Sequence, residues 1–266
     1  MSLKNHISNW IQASPWIRGS RLYYKLQRYR LYKDCQIDYS LTKDHELLKT
    51  LEKDGLAFIP NFLPDDQIDQ LAKESMEMLE LAEKDQYPGY FQNGALQSVR
   101  IGRVDQNSEL AKRVFYDDAR IQDLAKAYVS KKVKSSRREV DFKLTPGAVA
   151  DADMAHFDDW RQRFKAFLFL TDVGPENGPM NYWKGSHIPK PWMLRYFREY
   201  DRDGGYGRFG HFFEQEMLKI CEENGYEKHS CTGKKGTLLL ADFRGLHSST
   251  PLISGRRLIM GQVFEM

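Results

Sequence analysis

The stretch that most constrains how this chain can fold is residues 154–170, where a histidine and an aspartate lead directly into an apolar, aromatic run. His156 and Asp158 are two residues apart, and residues at this spacing in a β-strand point to the same face of the sheet. An imidazole and a carboxylate placed in this way can converge on one ion. The stretch therefore predicts a metal site carried by a strand, with a third ligand supplied from elsewhere in the chain.

The best candidate for the third ligand is His247, which follows a second apolar run at residues 237–243. Two histidines and one carboxylate, with the other coordination positions open, form the facial triad of non-haem Fe(II) oxygenases. The plainer interpretation makes His156 and Asp158 ordinary polar residues of a surface strand and His247 a hydrogen-bonded core histidine. Two other classes of protein also stay open at this point, a Zn(II) hydrolase and a β-barrel binding module without catalytic activity.

Composition favours a globular protein of the cytoplasm. The chain has 266 residues, enough to bury a full core, and no uncharged apolar run approaches the roughly 18 residues that span a bilayer. The formal net charge of +3 is too small to predict a nucleic-acid partner. Cys35, Cys221 and Cys231 are an odd number of cysteines without zinc-finger spacing, so reduced thiols in a cytoplasm are favoured over disulfides.

Residues 1–40 form a basic N-terminal segment that differs from the rest of the chain. Seven lysines and arginines precede Asp34, the first acidic residue of the sequence. Leu22, Leu26 and Tyr29 recur at helical spacing, which predicts a helix packed on the body of the protein. The alternatives are a transit peptide or a basic amphipathic helix in peripheral contact with an anionic membrane surface.

Residues 41–266 are predicted to form a single domain that begins with helices. Apolar residues recur at helical spacing after capping residues, and glycine or turn residues follow the runs. One short apolar strand separates the first two helices. The predicted helices span residues 42–54, 65–84 and 117–130, and the strand spans residues 56–60.

After residue 138 the chain turns to short apolar strands separated by turn residues, a pattern typical of a sandwich or barrel. An insertion at about residues 191–225 interrupts the strands with helical pieces, including residues 212–224. An insertion of this length at the mouth of a barrel usually covers or shapes a site, so we predict a lid or pocket wall. The predicted strands span residues 140–144, 165–171, 180–183, 237–243 and 258–264.

Further motifs accompany the histidines and the aspartate in a definite order along the chain. They are Asp-Gly-Leu-Ala-Phe-Ile-Pro-Asn-Phe-Leu at residues 54–63, His-Phe-Asp at 156–158, Leu-Thr-Asp-Val-Gly-Pro-Glu-Asn-Gly-Pro-Met at 170–180, Gly-Ser-His at 185–187, and His247 with a late arginine. His-x-Asp alone occurs by chance in many proteins, whereas the motifs joined in this order are a strong signal. Over roughly residues 54–266 the chain resembles the phytanoyl-CoA dioxygenase-like enzymes.

The resemblance implies an α+β fold with a mainly β core: a double-stranded β-helix (jelly-roll, cupin-like) with an N-terminal helical layer and a helical insertion. It also implies Fe(II) bound by His156, Asp158 and His247, with 2-oxoglutarate as cosubstrate and dioxygen as oxidant. The resemblance therefore implies two metal ligands, His156 and Asp158, from one segment of the chain and a third, His247, from a distant segment.

The resemblance further implies two contacts to 2-oxoglutarate. Ser249 matches a position that contacts the cosubstrate, and Arg257 matches the arginine that binds its far carboxylate, because it lies seven residues before the aromatic Phe264. A guanidinium can grip a planar carboxylate with two parallel hydrogen bonds. Arg256 remains the alternative anchor, since the interval of ten residues from His247 to Arg257 is one shorter than in familiar members.

The implied reaction couples the oxidative decarboxylation of 2-oxoglutarate to succinate and CO2 with hydroxylation of a small organic substrate. Desaturation, epoxidation and cyclisation use the same ligands, and the sequence does not separate them from hydroxylation. An iron halogenase of the same fold is disfavoured, because such enzymes have glycine or alanine where this chain has Asp158. The sequence leaves the identity of the substrate open.

Overall fold

Helices in the first half of the chain precede the main sheet. The computed structural model of the chain describes residues 37–89, 91–94, 98–147, 154–158, 162–193 and 214–265. The longer helices are α1 (His45–Asp54), α2 (Asp65–Glu83), α3 (Ala119–Tyr128) and α4 (Glu214–Asn224). Shorter helical turns span Tyr39–Leu41, Val104–Gln106, Glu109–Ala111 and Lys112–Tyr116, the last of them a π-helix turn. The four helices predicted within residues 41–266 are present, and their observed ends lie within three residues of the predicted ones.

Helix α1 shows why the observed C-terminal end of a helix agrees with the predicted one. Leu48 and Leu51 are fully buried on the face that the apolar spacing predicts. The helix ends at Gly55, whose φ of +79° is a left-handed conformation that glycine adopts without a steric penalty. The amide of Gly55 donates to the carbonyl of Leu51, which satisfies one of the last helical carbonyls. The chain then enters the first strand directly.

Two antiparallel sheets follow from the pairing of ten strands in the described part of the chain. The strands are β1 (Leu56–Ile59), β2 (Phe91–Gly94), β3 (Ser98–Gly102), β4 (Lys134–Lys143), β5 (Phe164–Phe169), β6 (Met180–Lys184), β7 (Glu227–Cys231), β8 (Leu238–Asp242), β9 (His247–Ser248) and β10 (Arg257–Glu265). The larger sheet has seven strands in the order β1-β8-β5-β10-β4-β3-β2, and the smaller has three in the order β7-β6-β9.

Four of these strands, β2, β3, β7 and β9, were not predicted from the sequence. They are short or largely polar, so they lack the apolar run by which the other strands were recognised. Backbone pairing with neighbouring strands, rather than side-chain pattern, defines them. The strand predicted at residues 140–144 is also longer than expected, because its polar first half continues the pairing with β10.

The larger sheet separates the hydrophobic core from a cavity. On β4, Val140 and Phe142 are fully buried against the helices, whereas Glu139 and Asp141 point to the other face and line the cavity. The same alternation on β5 sends Phe164 and Ala166 to the core and Phe167 to the cavity. The mainly β core with its N-terminal helical layer therefore agrees with the predicted architecture.

Helix α4 is the longest described part of the predicted insertion, of which residues 191–193 are also described. Its Met217 belongs to a small buried cluster with Phe157 and Leu246, which are sequence neighbours of His156 and His247. The insertion thus packs beside the segments that carry the predicted ligands. Residues 194–213, with the predicted mobile lid, lie outside the described residues, and so does most of the basic N-terminal segment; both interpretations stay predictions. Across the part of the chain that is described, no helix has the length and apolar character needed to cross a membrane.

Candidate metal centre

The two histidines of the predicted triad lie on adjacent backbone segments. The amide of His156 donates to the carbonyl of His247 at 2.8 Å, and the amide of His247 donates to the carbonyl of His156 at 2.8 Å. This antiparallel bridge places the imidazole centroids 4.3 Å apart. Strand β9, which carries His247, also pairs with β6, so the backbone of this histidine is held on both sides.

Asp158 completes the cluster from the same short segment as His156. Its amide donates to the carbonyl of Phe243 at 3.1 Å. Its Oδ1 lies 3.8 Å from Nε2 of His156 and 3.4 Å from Nε2 of His247, and one ligand atom from each residue lies within 4.8 Å of the others. Ligand atoms bound at about 2.1 Å to one metal are separated by roughly 3 Å or more, so a small inward adjustment makes the three coordinate together.

The hydrogen bonds of the histidines determine which nitrogen faces the cluster. Nδ1 of His156 lies 2.9 Å from the carbonyl O of Met154, and Nδ1 of His247 lies 2.9 Å from the carbonyl O of Gly245. A carbonyl oxygen only accepts, so each Nδ1 carries the proton and each Nε2 presents a lone pair toward Asp158. Metal-binding histidines are commonly oriented in this way. The donor set therefore fits a divalent metal such as Fe(II).

Lys165 is a site residue that the sequence analysis did not single out. Its Nζ lies 2.7 Å from Oδ2 of Asp158 and 3.8 Å from the centroid of the Phe243 ring. Burial raises the pKa of the Asp158 carboxyl, but the charge of the nearby Lys165 ammonium is the largest of the opposing effects, which together leave this pKa well below its usual range. Asp158 is therefore an anion with Oδ2 held by Lys165 and Oδ1 facing the histidines. The sequence did offer one signal for Lys165: it is a single lysine in an otherwise apolar strand, two residues before Phe167.

The cluster opens into a cavity of about 370 Å³ that is lined by residues of both sheets. This volume is at the lower end of the range typical of small-molecule sites. Apolar side chains from β5, β6, β8 and β10 form part of its wall, and charged side chains from β3, β4 and β5 form another part. The apolar part includes Phe167, Phe169, Met180, Leu239 and Ile259.

The two adjacent arginines differ in position. Arg257 is 7 % exposed and lines the cavity, whereas Arg256 is exposed. The Arg257 guanidinium donates to the carbonyl of Gly178 and, at 2.7 Å, to Oδ1 of Asp141. Its Nε is buried and has no hydrogen-bond partner among the described residues. A buried guanidinium nitrogen without a partner leaves one charged donor with unused hydrogen-bonding capacity.

Ser249 also lines the cavity, and a second buried cation contacts it. Lys143 is 1 % exposed; its Nζ donates to Oγ of Ser249 at 2.5 Å and to the carbonyl of Thr250. Lys143 pairs with Arg257 in the register of β4 and β10, so the two cations are cross-strand neighbours. The sequence analysis missed Lys143, although its even spacing from Glu139 along β4 places both on one face.

Asp141 joins the charged residues of this part of the cavity. Its carboxylate accepts from Arg257 at 2.7 Å and from Arg100 at 2.8 Å. Burial raises the pKa of Asp141, but the two arginines outweigh burial and leave this pKa below its usual value. Lys143, two residues after Asp141 on the same face of β4, adds a third cation to this part of the cavity. Two arginines and a lysine close together favour binding of an anion such as a carboxylate.

Comparison with known families agrees with this geometry. The family profile described as "Phytanoyl-CoA dioxygenase (PhyH)" matches residues 51–258. Among curated proteins, none matches the chain in sequence.

Several solved structures have folds similar to that of this chain. EctD from S. alaskensis with bound Fe has 18% identity and a TM-score of 0.64, covering 87% of this chain and 81% of that chain. The epimerase SnoN in complex with Fe3+, alpha ketoglutarate and nogalamycin RO has 18% identity and a TM-score of 0.58, covering 85% of this chain and 83% of that one. AviO1 from Streptomyces viridochromogenes Tue57 has 16% identity and a TM-score of 0.58, covering 84% and 94%. At these identities the likeness concerns the fold, and it confirms the predicted cupin-like core.

Proposed function

The chain belongs to the phytanoyl-CoA dioxygenase family, and on this basis we propose that His156, Asp158 and His247 hold Fe(II) for the hydroxylation of a small organic substrate. The chain is a non-haem iron, 2-oxoglutarate-dependent oxygenase. Bound iron and 2-oxoglutarate supply the reduction of dioxygen, the release of succinate and CO2, and the oxidising power that acts on the substrate. The residues of this chain supply binding, orientation and exclusion of water.

The convergence of two imidazole Nε2 atoms and one carboxylate oxygen is the observation that carries the metal assignment. Each Nδ1 is committed to a backbone carbonyl, so His156 and His247 need no change of tautomer to bind a metal. Lys165 holds Oδ2 of Asp158 and leaves Oδ1 as the ligand atom. Lys165 is therefore proposed as a positioning residue that keeps Asp158 oriented toward the metal.

Arg257 and Ser249 are proposed to bind the far carboxylate of 2-oxoglutarate. The buried guanidinium of Arg257 has an unsatisfied Nε, and the hydroxyl of Ser249 lies on the same cavity wall as this arginine. Lys143 contacts Ser249 and adds positive charge behind it. A carboxylate at this place is stabilised by charge-assisted hydrogen bonds in a buried site.

Hydroxylation is the proposed outcome, and Asp158 supports it. Because the carboxylate ligand is present, the coordination position that a halide would need is occupied by the protein. Structures of the same fold include proteins described as an epimerase and a carbocyclase, so the fold by itself accommodates more than one outcome. The small cavity supports a substrate of low molecular weight.

A cytoplasmic location is also part of this proposal. Cys221 and Cys231 are free thiols, and Cys231 is buried on the cavity wall. A reducing compartment keeps such thiols reduced.

Alanine substitution of each proposed ligand tests the metal site. His156→Ala, Asp158→Ala and His247→Ala each remove one of three proposed protein ligands. We expect each to abolish Fe(II)-dependent succinate formation and to weaken Mn(II) binding at least about tenfold, with an unchanged circular dichroism spectrum. His229→Ala, a histidine on β7 outside the cluster, is the control and should bind Mn(II) normally. Wild-type Mn(II) affinity in two folded ligand variants would contradict the assignment.

A further inference from the structure

The middle of the larger sheet presents an aromatic ring to the cavity at a place where the central strand has no side chain. Phe167 on β5 and Gly261 on β10 are register partners, and Phe167 lines the cavity. Register partners in antiparallel strands lie on the same face of a sheet. A Cβ built on Gly261 would lie 3.2 Å from Cε1 and 3.3 Å from Cδ1 of Phe167. The edge of the Phe167 ring therefore lies over the backbone of Gly261.

The glycine leaves a recess in the cavity wall between two side chains. Glu139 on β4 pairs with Gly261 on the side away from Phe167, and both Glu139 and Phe167 line the cavity. The added Cβ would lie 3.8 Å from Cγ of Glu139, so the ring of Phe167 is its nearer neighbour. A side chain at position 261 would compete with the ring for this space. The width of the cavity at this point therefore depends on how far the ring lies back over the glycine.

Phe167 is one side chain away from two of the proposed metal ligands. Its ring centroid is 5.6 Å from that of Phe243, whose centroid is 4.3 Å from that of His247. Nζ of Lys165 lies 6.0 Å from the centroid of the Phe167 ring and 2.7 Å from Oδ2 of Asp158. A group that packs on the ring of Phe167 inside the cavity is therefore close to the metal ligands.

The ring is nearer to this end of the wall than to the proposed anchor of the cosubstrate. Gly261 is four residues from Arg257, about 13 Å along an extended strand, whereas Phe167 is two residues from Lys165. An aromatic ring offers a packing surface, because apolar area leaves water on contact and a second ring can stack on it or meet its edge. The ring is therefore suited to contact an apolar part of the substrate.

We propose that Phe167 is a specificity-determining residue, whose ring contacts an apolar part of the substrate beside the metal ligands and whose position over Gly261 sets how large that part can be. The inference rests on the proposed function, because it concerns the substrate of the same site. Gly261 is a positioning residue, since it acts by letting the ring lie back against β10. The substrate class that follows is an organic molecule with a compact apolar group near the carbon that is oxidised.

Two neutral probes of different size measure the room in front of the ring. Phenol and 2-naphthol each carry one hydroxyl and differ by one fused ring. Calorimetric titration of the full chain, loaded with Mn(II) and saturating 2-oxoglutarate, gives their dissociation constants. We expect the wild type to bind phenol more tightly than 2-naphthol. Phe167→Ala should weaken phenol binding about three- to tenfold through the loss of one ring contact, and it should reverse the order of the probes, because an apolar cavity left by a truncated side chain accepts an apolar ring.

Gly261→Ala tests whether the position of the ring matters. In the wild-type background the added Cβ should push the ring toward the cavity and weaken phenol binding about threefold or more. In the Phe167→Ala background the Cβ no longer meets the ring, and Gly261→Ala should change either probe affinity less than about twofold. A general disturbance of the sheet would act equally in both backgrounds, so the comparison isolates the effect that passes through Phe167.

Phe58→Ala is the matched control, because Phe58 pairs with Leu239, the other register partner of Phe167, but is not among the residues that line the cavity. It should change either probe affinity less than about twofold. None of the variants should change 2-oxoglutarate affinity more than about twofold. Phe167→Leu replaces Phe167→Ala if the circular dichroism spectrum of the alanine variant differs from that of the wild type, and it should shift the ratio of the two probe affinities in the same direction.

The outcomes separate this inference from the proposed function. The inference alone is overturned if a wild type that binds 2-oxoglutarate binds neither probe, if the probe ratio is unchanged in the folded Phe167 variant, or if Gly261→Ala acts equally in both backgrounds. Equal losses of phenol and 2-oxoglutarate affinity in that variant would assign the ring to the cosubstrate and overturn it as well. Failure of the wild type to bind 2-oxoglutarate overturns the proposed function and this inference with it.

Discussion

Arg256 and Arg257 are adjacent in the sequence but have different surroundings. Arg257 is buried beside Asp141 with an unsatisfied Nε, while Arg256 is exposed to solvent. The difference follows from the alternation of side chains along an extended backbone. Only one of two neighbouring arginines can therefore reach a ligand in the cavity.

Substitution of the two arginines should separate their roles. Losing a buried, charge-assisted contact to the 2-oxoglutarate carboxylate should cost about 2 to 5 kcal/mol, and losing a solvated arginine about 0 to 1 kcal/mol. Arg257→Ala should therefore raise the 2-oxoglutarate dissociation constant roughly 30-fold or more, and Arg256→Ala less than about fivefold. Titration of 2-oxoglutarate in the presence of Mn(II) measures both.

The opposite ranking would move the anchor to Arg256. Unchanged affinity in both variants would remove the proposed carboxylate site altogether. Because Arg257 also pairs with Asp141, the circular dichroism spectrum of each variant must match that of the wild type before the affinities are compared.

At the scale of elements, two helices are followed by glycines with similar backbone conformations and different surroundings. Gly55 after α1 has φ +79°, and Gly225 after α4 has φ +66°. A Cβ added at Gly55 would overlap Oη of Tyr182 and lie 2.5 Å from Nδ1 of His187, whereas one added at Gly225 would meet nothing within 4 Å. The first glycine therefore permits close packing as well as a left-handed turn.

Alanine at the two positions should separate these effects. Gly225→Ala should lower the free energy of unfolding by about 1 to 2 kcal/mol, the cost of a left-handed conformation for a residue with a side chain. Gly55→Ala should cost about 1 to 3 kcal/mol more, because α1 must move away from Tyr182 and His187. Urea unfolding of both variants measures the difference. Equal losses of unfolding free energy in the two variants would show that the structure accommodates a Cβ at Gly55 without a further loss of stability.

At the scale of the whole molecule, a buried polar network joins the helical layer to both sheets. Asp242 on β8 pairs with Arg244 at 2.6 Å and accepts a hydrogen bond from Tyr128 of α3 at 3.0 Å. Tyr182 of β6 donates to the carbonyl of Asp242 at 2.8 Å. Burial raises the pKa of Asp242, but Arg244 outweighs burial and leaves this pKa below its usual value. The ion pair therefore persists at neutral pH in the interior.

His187 belongs to the same region and makes stability depend on pH. Burial lowers the pKa of His187, whose Nε2 lies 3.1 Å from the carbonyl of Glu52. The unfolded chain takes up a proton near pH 6.5 that folded His187 does not, so the free energy of unfolding falls as pH falls through about 6.5. Between about pH 7.5 and 5.5 this residue should contribute a loss of up to about 1.4 kcal/mol.

Urea unfolding of the wild type and His187→Gln with a chelator present measures this contribution. The variant should lose less stability than the wild type over the same pH interval. All other residues are the same in the two proteins, so their contributions cancel from the comparison, and the lowered pKa of Asp242 keeps its protonation outside this pH interval. If the free energies of unfolding of the two proteins changed with pH in parallel, burial would not lower the pKa of His187 and the prediction would be wrong.

The sequence by itself determined the features that depend on local spacing. Helix α1 and its end at Gly55 follow from apolar periodicity and a glycine, and the candidate ligands His156 and Asp158 follow from a two-residue spacing. His247 was the candidate third ligand because it follows an apolar run, and the likeness of ordered motifs to a known family added Ser249 and Arg257. The family and the cupin-like core predicted in this way are confirmed, while the roles of the site residues stay predictions.

Only the tertiary structure decided which distant side chains meet. Lys143 contacts Ser249 across 106 residues of sequence, and Asp141 meets Arg257 across 116. The ion pair between Lys165 and Asp158 was not predicted from the sequence either. The same is true of the pairing of the polar strand β2 with β3 and of the polar strand β7 with β6. The physical reason is that strand register and sheet closure set these contacts. Both depend on the packing of the whole chain, whereas the spacing of nearby residues constrains only the face to which each side chain points.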